Sequence, residues 1–262
     1  MELLTALGLN SGELVAFVGA GGKTTTIWLL LRALAGRGER AVFATTTHIF
    51  KPRRAPLLLD PSPDPALIAL LLTRWRAIIL AAQMDEEGDP QMAARCPYPA
   101  TPWKLKGLKP EVVTDLARRL PGVTWLVEAD GAKGRALKAP ADHEPAVPSG
   151  AHRVVIMGSI AALGRPLNDQ IVHRPERAAA LLRVPPGTPI TPDMVAGLMG
   201  HAYGGLKSIP TRAAAIALLT QIEPQPRPEA TGIARQLLLG KRIRRVVLAN
   251  LRLPDPVLEV WE

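Results

Sequence analysis

Phe17-Val18-Gly19-Ala20-Gly21-Gly22-Lys23-Thr24-Thr25-Thr26 is the stretch that decides the fold of this chain. Residues 13–18 read as a buried strand, and residues 24–36 as a helix with Gly36 and Gly38 at its end. Glycines between a strand and a helix let main-chain N–H groups turn inward with no Cβ in the way. The helix start adds the positive end of its dipole, and Lys23 supplies a mobile cation for β- and γ-phosphates, facing ligand and solvent rather than core. Thr24 is then placed to bind Mg²⁺ through its hydroxyl. Gly19, Ala20, Gly21, Gly22, Lys23, Thr24 and Thr25 form the expected phosphate cradle. A glycine-rich turn that merely joined strand to helix would not need the Lys-Thr-Thr-Thr run that follows.

Working outward, residues 40–45 read as a second strand and complete a βαβ unit. Further strands are expected at 78–82, 124–127, 153–157 and 245–249, with helices at 66–73, 110–120, 175–182 and 192–199. Residues 213–219 fit either a strand or a helix. The proline-rich run 51–65 reads as a surface loop, 85–103 as an acidic and then proline-rich connector, and 131–150 as a polar insertion. The alternation predicts an α/β fold of the P-loop NTPase-like kind, a mostly parallel sheet flanked by helices. It is expected to be a single domain over 1–262 with an elaborated half from about 151.

Composition narrows the function classes. Hydrophobic residues at 47% against 21% charged ones fit a packed core and exclude extensive disorder. The single cysteine, Cys96, excludes a disulfide framework or a cysteine metal cage within one chain. No apolar run approaches the roughly 18 residues of a membrane span, and the first residues lack a basic leader region, so a cytoplasmic protein is expected. The net charge of +9 favours anionic partners such as nucleotides. The cations are scattered and only ten aromatics are present, which argues against a nucleic-acid stacking platform.

A phosphate loop needs further groups at the carboxyl ends of neighbouring strands. The second strand ends in Thr45-Thr46-Thr47-His48, whose hydroxyls can sense a γ-phosphate or a Mg²⁺-bound water. The strand at 124–127 ends in Glu128-Ala129-Asp130-Gly131, two carboxylates that can hold Mg²⁺ and polarise the attacking water. Lys23, Glu128 and Asp130 are therefore the candidate catalytic residues, and Thr24, Glu128 and Asp130 the candidate Mg²⁺ ligands. The loop that follows supplies Lys133, Arg135, Lys138, His143 and Glu144 as candidate contacts to phosphate or to a second anionic substrate. Asp142, His143 and Glu144 are adjacent in sequence and rarely face one ion, so polar contacts are expected there rather than a metal.

The loop lacks glycine at position 17, and its shorter GxxGKTT spacing resembles that of Mur-type amide ligases as much as that of ordinary P-loop NTPases. The Glu128-x-x-Gly131 spacing is similar to a motif of the metallochaperone-type GTPases. The loop, the run Ala44-Thr45-Thr46-Thr47-His48, the long segment from Glu128 to Pro145, Leu163-Gly164-Arg165-Pro166-Leu167 and Val172-His173-Arg174-Pro175-Glu176 together resemble the YqeC family. The likeness extends from about residue 12 to the 204–207 segment, departing where Ala136 replaces the family's usual proline. It implies an accessory role in maturing a selenium-dependent molybdenum hydroxylase or its molybdenum cofactor. The expected activity is hydrolysis of ATP or GTP with Mg²⁺, with a ligase or kinase acting on a small acid, or a non-hydrolysing cofactor carrier, as alternatives. GTPases of the metallochaperone type read guanine with Asn-Lys-x-Asp. The comparable position here holds Thr220-Gln221-Ile222-Glu223, which predicts no strong guanine preference.

Overall fold

A computed structural model describes residues 1–88, 90–94, 96, 99–223 and 228–262. The chain opens with α1 (Leu3–Ala6), β1 (Leu14–Gly19), α2 (Lys23–Gly36) and β2 (Ala41–Thr45). β1 is Leu-Val-Ala-Phe-Val-Gly and every residue of β2 is buried, as a parallel strand covered on both faces requires. Next come β3 (His48–Pro52), β4 (Leu57–Leu59), α3 (Pro65–Trp75), β5 (Ala77–Ala81), β6 (Gln83–Glu87), α4 (Pro90–Ala93) and β7 (Ala100–Lys106). The start of α3 follows from Asp64, whose carboxylate accepts from the Ala66 amide, and from Pro65 in the first turn. The middle of the chain holds α5 (Pro110–Arg119), β8 (Thr124–Glu128), β9 (Leu137–Lys138), β10 (Arg153–Ser159) and β11 (Val172–His173). The last part holds α6 (Pro175–Leu182), α7 (Pro192–Gly200), β12 (Ala214–Thr220), α8 (Pro228–Leu239), β13 (Ile243–Ala249) and β14 (Val257–Trp261).

Nine strands form one sheet in the order β14-β13-β12-β10-β1-β8-β2-β5-β4, parallel throughout except for the antiparallel edge strand β14. Alternate residues of β1 enter different cores. Val15 and Phe17 pack with Ile27, Leu30 and Leu34 of α2, whereas Leu14, Ala16 and Val18 join the core shared with α3, α5, α7 and α8. This is the expected α/β architecture. Because β1 lies between β8 and β10, connections leave it in both directions, and the crevice above its carboxyl end is where such sheets bind ligands.

Two segments differ from the sequence reading, and a third that it left open is decided. The run 51–65 is not wholly loop, because β4 within it pairs with β5 and closes the sheet edge. The connector at 85–103 instead contributes to a separate antiparallel sheet in the order β3-β7-β6. Positions 89, 95, 97 and 98 of that stretch lie outside the described residues. These strands were hidden by their composition: β6 reads Gln-Met-Asp-Glu-Glu and β7 contains Pro102, so neither has the apolar alternation that marks a strand. The ambiguous run near 213–219 is a strand, β12, buried from Ala215 to Thr220.

Candidate active site

The loop after β1 is held open by backbone geometry. Gly19 and Gly21 sit at φ +90° and +84°, and a Cβ would lie 2.3 Å from the Met157 carbonyl at the first and 2.8 Å from the Ser159 side chain at the second. No other residue fits either place. Three loop amides are engaged internally: Gly19 donates to Asp130 Oδ2 (3.1 Å), Ala20 to the Met157 carbonyl and Gly21 to the Arg135 carbonyl. The amides of Lys23, Thr24 and Thr25 open the first turn of α2, where a helix offers no internal acceptor. They are the donors left for an anion.

β8 runs beside β1 and brings its carboxyl end to this loop. Glu128 is buried, and Thr24 donates its hydroxyl to Glu128 Oε2 at 2.9 Å. Burial pushes the Glu128 carboxyl up, against the opposing pull of Lys23 and of the Thr24 hydrogen bond. A hydroxyl and a carboxylate side by side at the head of the loop are hard oxygen donors of the kind Mg²⁺ takes alongside substrate phosphates. Among the described residues there is no cluster of three or more His, Cys, Asp or Glu that could hold a metal by itself.

Lys23 does not face solvent as the sequence suggested. Its ammonium is buried, donates to the Gly19 carbonyl at 2.6 Å and lies 3.2 Å from Asp130 Oδ1. Asp130 is in turn 3.2 Å from Lys138, Lys138 is 2.9 Å from Glu144, and Glu144 is 2.6 Å from Arg174. Five alternating charges thus run from the phosphate loop to the start of α6. Asp130 already meets two ammonium groups and the Gly19 amide, so its Mg²⁺-ligand role would require displacing them. Lys138 and Glu144, expected to touch a ligand, are instead interior partners. The Lys138 side chain has no exposure, because the β9–β11 pairing tucks it beneath Asp130, and it also donates to the Gly131 carbonyl. Burial pushes the Lys138 ammonium down. Burial works in the opposite sense on Glu144, but the hydrogen bonds and charge of Lys138, the Ala141 amide and Arg174 outweigh it and hold its carboxyl at about 2. Burial and the nearby cations Arg174 and Lys138 push His173 down to about 4.

The remaining candidates separate. Thr45 is buried and donates to the Glu128 carbonyl (3.2 Å), while Thr46 donates to the Ala146 carbonyl (2.8 Å), so both hydroxyls fasten the ends of strands rather than point at the loop. The Thr47 hydroxyl lies 3.6 Å from where a Cβ on Gly131 would be. Arg135 meets the loop through its carbonyl, Lys133 is exposed at φ 48°, and His143 is exposed in the turn between Asp142, which pairs with Arg177, and Glu144. Sequence reasoning missed Ser159 and the placement of Thr220. Thr220, at the end of β12, donates to the Gly21 carbonyl, and Ser159, at the end of β10, donates to Gln221 Oε1. Together they wall the loop opposite β8. The available signal was positional, a hydroxyl residue closing each apolar strand on the loop's edge of the sheet.

The sequence model of one family, described as YqeC protein, matches residues 15–176, which includes the phosphate loop, β8 and all five residues of the charge chain. A curated relative, an uncharacterised protein YqeC of Escherichia coli (strain K12), is 28% identical over 204 residues, 75% of this chain and 71% of the relative. No solved structure matches.

Proposed function

The chain belongs to the YqeC family, and on that premise we propose that it is a Mg²⁺-dependent nucleoside triphosphatase, acting on ATP or GTP in the maturation of a molybdenum hydroxylase or its cofactor. The observation that carries the hydrolase reading is the contact of Thr24 with Glu128 at the mouth of a glycine loop, on the carboxyl edge of a parallel sheet. The maturation role rests on the family resemblance.

In this reading the first-turn amides of α2 cradle the phosphates and Lys23 neutralises their charge, leaving its contact with the Gly19 carbonyl as it does so. Thr24 and Glu128 would hold Mg²⁺, which when bound would supply charge neutralisation at the phosphates. Glu128 orients the attacking water and accepts its proton. Asp130 acts through Lys23, fixing the ammonium beside the loop. No helix among the described residues is long and apolar enough to cross a membrane.

Phosphate release from ATP and GTP, with Mg²⁺ and with EDTA, tests this. Glu128→Gln is expected to keep nucleotide affinity within several-fold while slowing release by about 100-fold or more, since the carboxylate acts mainly on water and Mg²⁺ rather than on the ground-state nucleotide. Equal losses of affinity and rate, or wild-type turnover that ignores EDTA, would refute it.

A further inference from the structure

α2 carries a second stripe besides the one it buries. Ile27, Leu30, Leu31 and Leu34 enter the core, whereas Thr25, Trp28, Leu29 and Arg32 recur at i, i+3, i+4 and i+7 along another face. That face meets Pro52 at the end of β3, Arg54 just beyond it and Pro99 just before β7, and these residues line a groove of about 250 Å³. The groove exists because the small β3-β7-β6 sheet packs against this helix: Trp28 joins Phe50, Ala93 and Ala100 in a cluster of their own and stands edge-on to Phe43, with ring centroids 6.2 Å apart.

The lining is chemically divided. Trp28, Leu29, Pro52 and Pro99 give it flat apolar walls, whereas Arg32 and Arg54 are exposed and, among the described residues, make no ion pair or hydrogen bond. Among the described residues no carboxylate lines it. Two unpaired guanidinium groups over an apolar, partly aromatic surface select a flat body that carries negative charge, because guanidinium binds phosphate oxygens through paired N–H donors. The two cations match the two charges of a phosphate monoester. The volume lies below the roughly 300 Å³ at which pockets for drug-sized ligands begin, which limits the body to one or two rings. Thr25, at the groove's end, follows directly on Thr24, whose hydroxyl sits on Glu128.

We propose that the groove between α2 and the β3-β7-β6 sheet is a second ligand site, taking a small aromatic or heteroaromatic phosphate beside the phosphate loop. It is separate from the cradle formed by residues 19–25 except at Thr25, and its occupation does not require nucleotide.

The probe is 1-naphthyl phosphate, with the neutral 1-naphthylmethanol as control, titrated into the full chain without nucleotide and followed by ligand-observed NMR and calorimetry. Wild-type protein is expected to bind the phosphate at least tenfold more tightly than the alcohol. Arg32→Glu/Arg54→Glu is expected to weaken the phosphate at least tenfold with an unchanged melting temperature and unchanged ATP binding, since both side chains are exposed and outside the phosphate loop. Lys23→Ala is expected to leave probe binding unchanged. No binding to wild type, equal binding to the double variant, or loss in Lys23→Ala with displacement by ATP would overturn the proposal, the last by locating the probe in the phosphate loop. Because the measurement needs no nucleotide, it stands or falls apart from the hydrolase reading.

Discussion

Glu144→Gln tests the charge chain at its most measurable link. The Glu144 carboxyl is held at about 2, against an ordinary 4.5, by Lys138, the Ala141 amide and Arg174. At about 1.4 kcal/mol per pH unit, that difference corresponds to about 3 kcal/mol of stability at pH 7. The side chain keeps 14% exposure, and solvent screening reduces the realised value to about 2 kcal/mol. Since the folded-state value is depressed, the contribution is complete above pH 4.5 and is lost as pH falls from 4.5 toward 2, with more than half gone by pH 3. Glutamine keeps the shape and an acceptor for the Ala141 amide but not the charge. Urea unfolding of both proteins by circular dichroism at pH 7, 5 and 3 should therefore show a gap of about 2 kcal/mol that shrinks below about 1 kcal/mol at pH 3. Carboxylates outside the charge chain titrate alike in both proteins and cancel in the difference. A gap that stays constant with pH, or no gap at pH 7, would refute the argument that Glu144 is stabilised as an anion.

Lys23→Ala should lower phosphate release by about 100-fold or more and also lower the urea midpoint, because the ammonium it removes is buried against Asp130; retained turnover would dismiss the loop as the site. Gly21→Ala should abolish nucleotide binding in a calorimetric titration, since the new methyl would sit 2.8 Å from Ser159 in a left-handed backbone. ATP and GTP titrated under identical Mg²⁺ should bind within about 30-fold of each other, about 2 kcal/mol, because Thr220-Gln221-Ile222-Glu223 at the end of β12 lacks the Asn-Lys-x-Asp pattern by which guanine readers select the base; a larger GTP preference would place base reading elsewhere.

The central sheet was legible because its signals are local and redundant. The apolar run into Gly19, the glycines and the helix after Lys23 each specify the same junction, and β8 announces itself by an apolar strand that stops at Glu128. The edge was not legible, because β4 is three residues long and β6 is charged, and both are strands only through the neighbours they pair with. The site divided in the same way. Proximity of Thr24 to Glu128 followed from strand order. The burial of Lys138 did not, because it depends on two residues of β9 pairing with two of β11, which lies 35 positions further along the chain.

That burial changes what the dense charge of the 130–144 segment does. As a solvated loop it would offer separate handles to a ligand; folded, its Asp130, Lys138 and Glu144 pair with one another and with Lys23 and Arg174. Asp130, Lys138 and Glu144 each have an opposite neighbour on both sides, so removing one leaves two partners uncompensated, most severely at the buried Asp130 and Lys138. Glu144 does not reach the phosphate loop, yet it fixes Lys138, which fixes Asp130, which fixes Lys23. A substitution at Glu144 should therefore reach turnover only through the position of the Lys23 ammonium, and its effect on rate should vanish in a Lys23→Ala background while its effect on stability persists. A double-mutant cycle read in both quantities separates the two: an unchanged rate effect in that background would mean that Glu144 acts on the site by some route other than this chain.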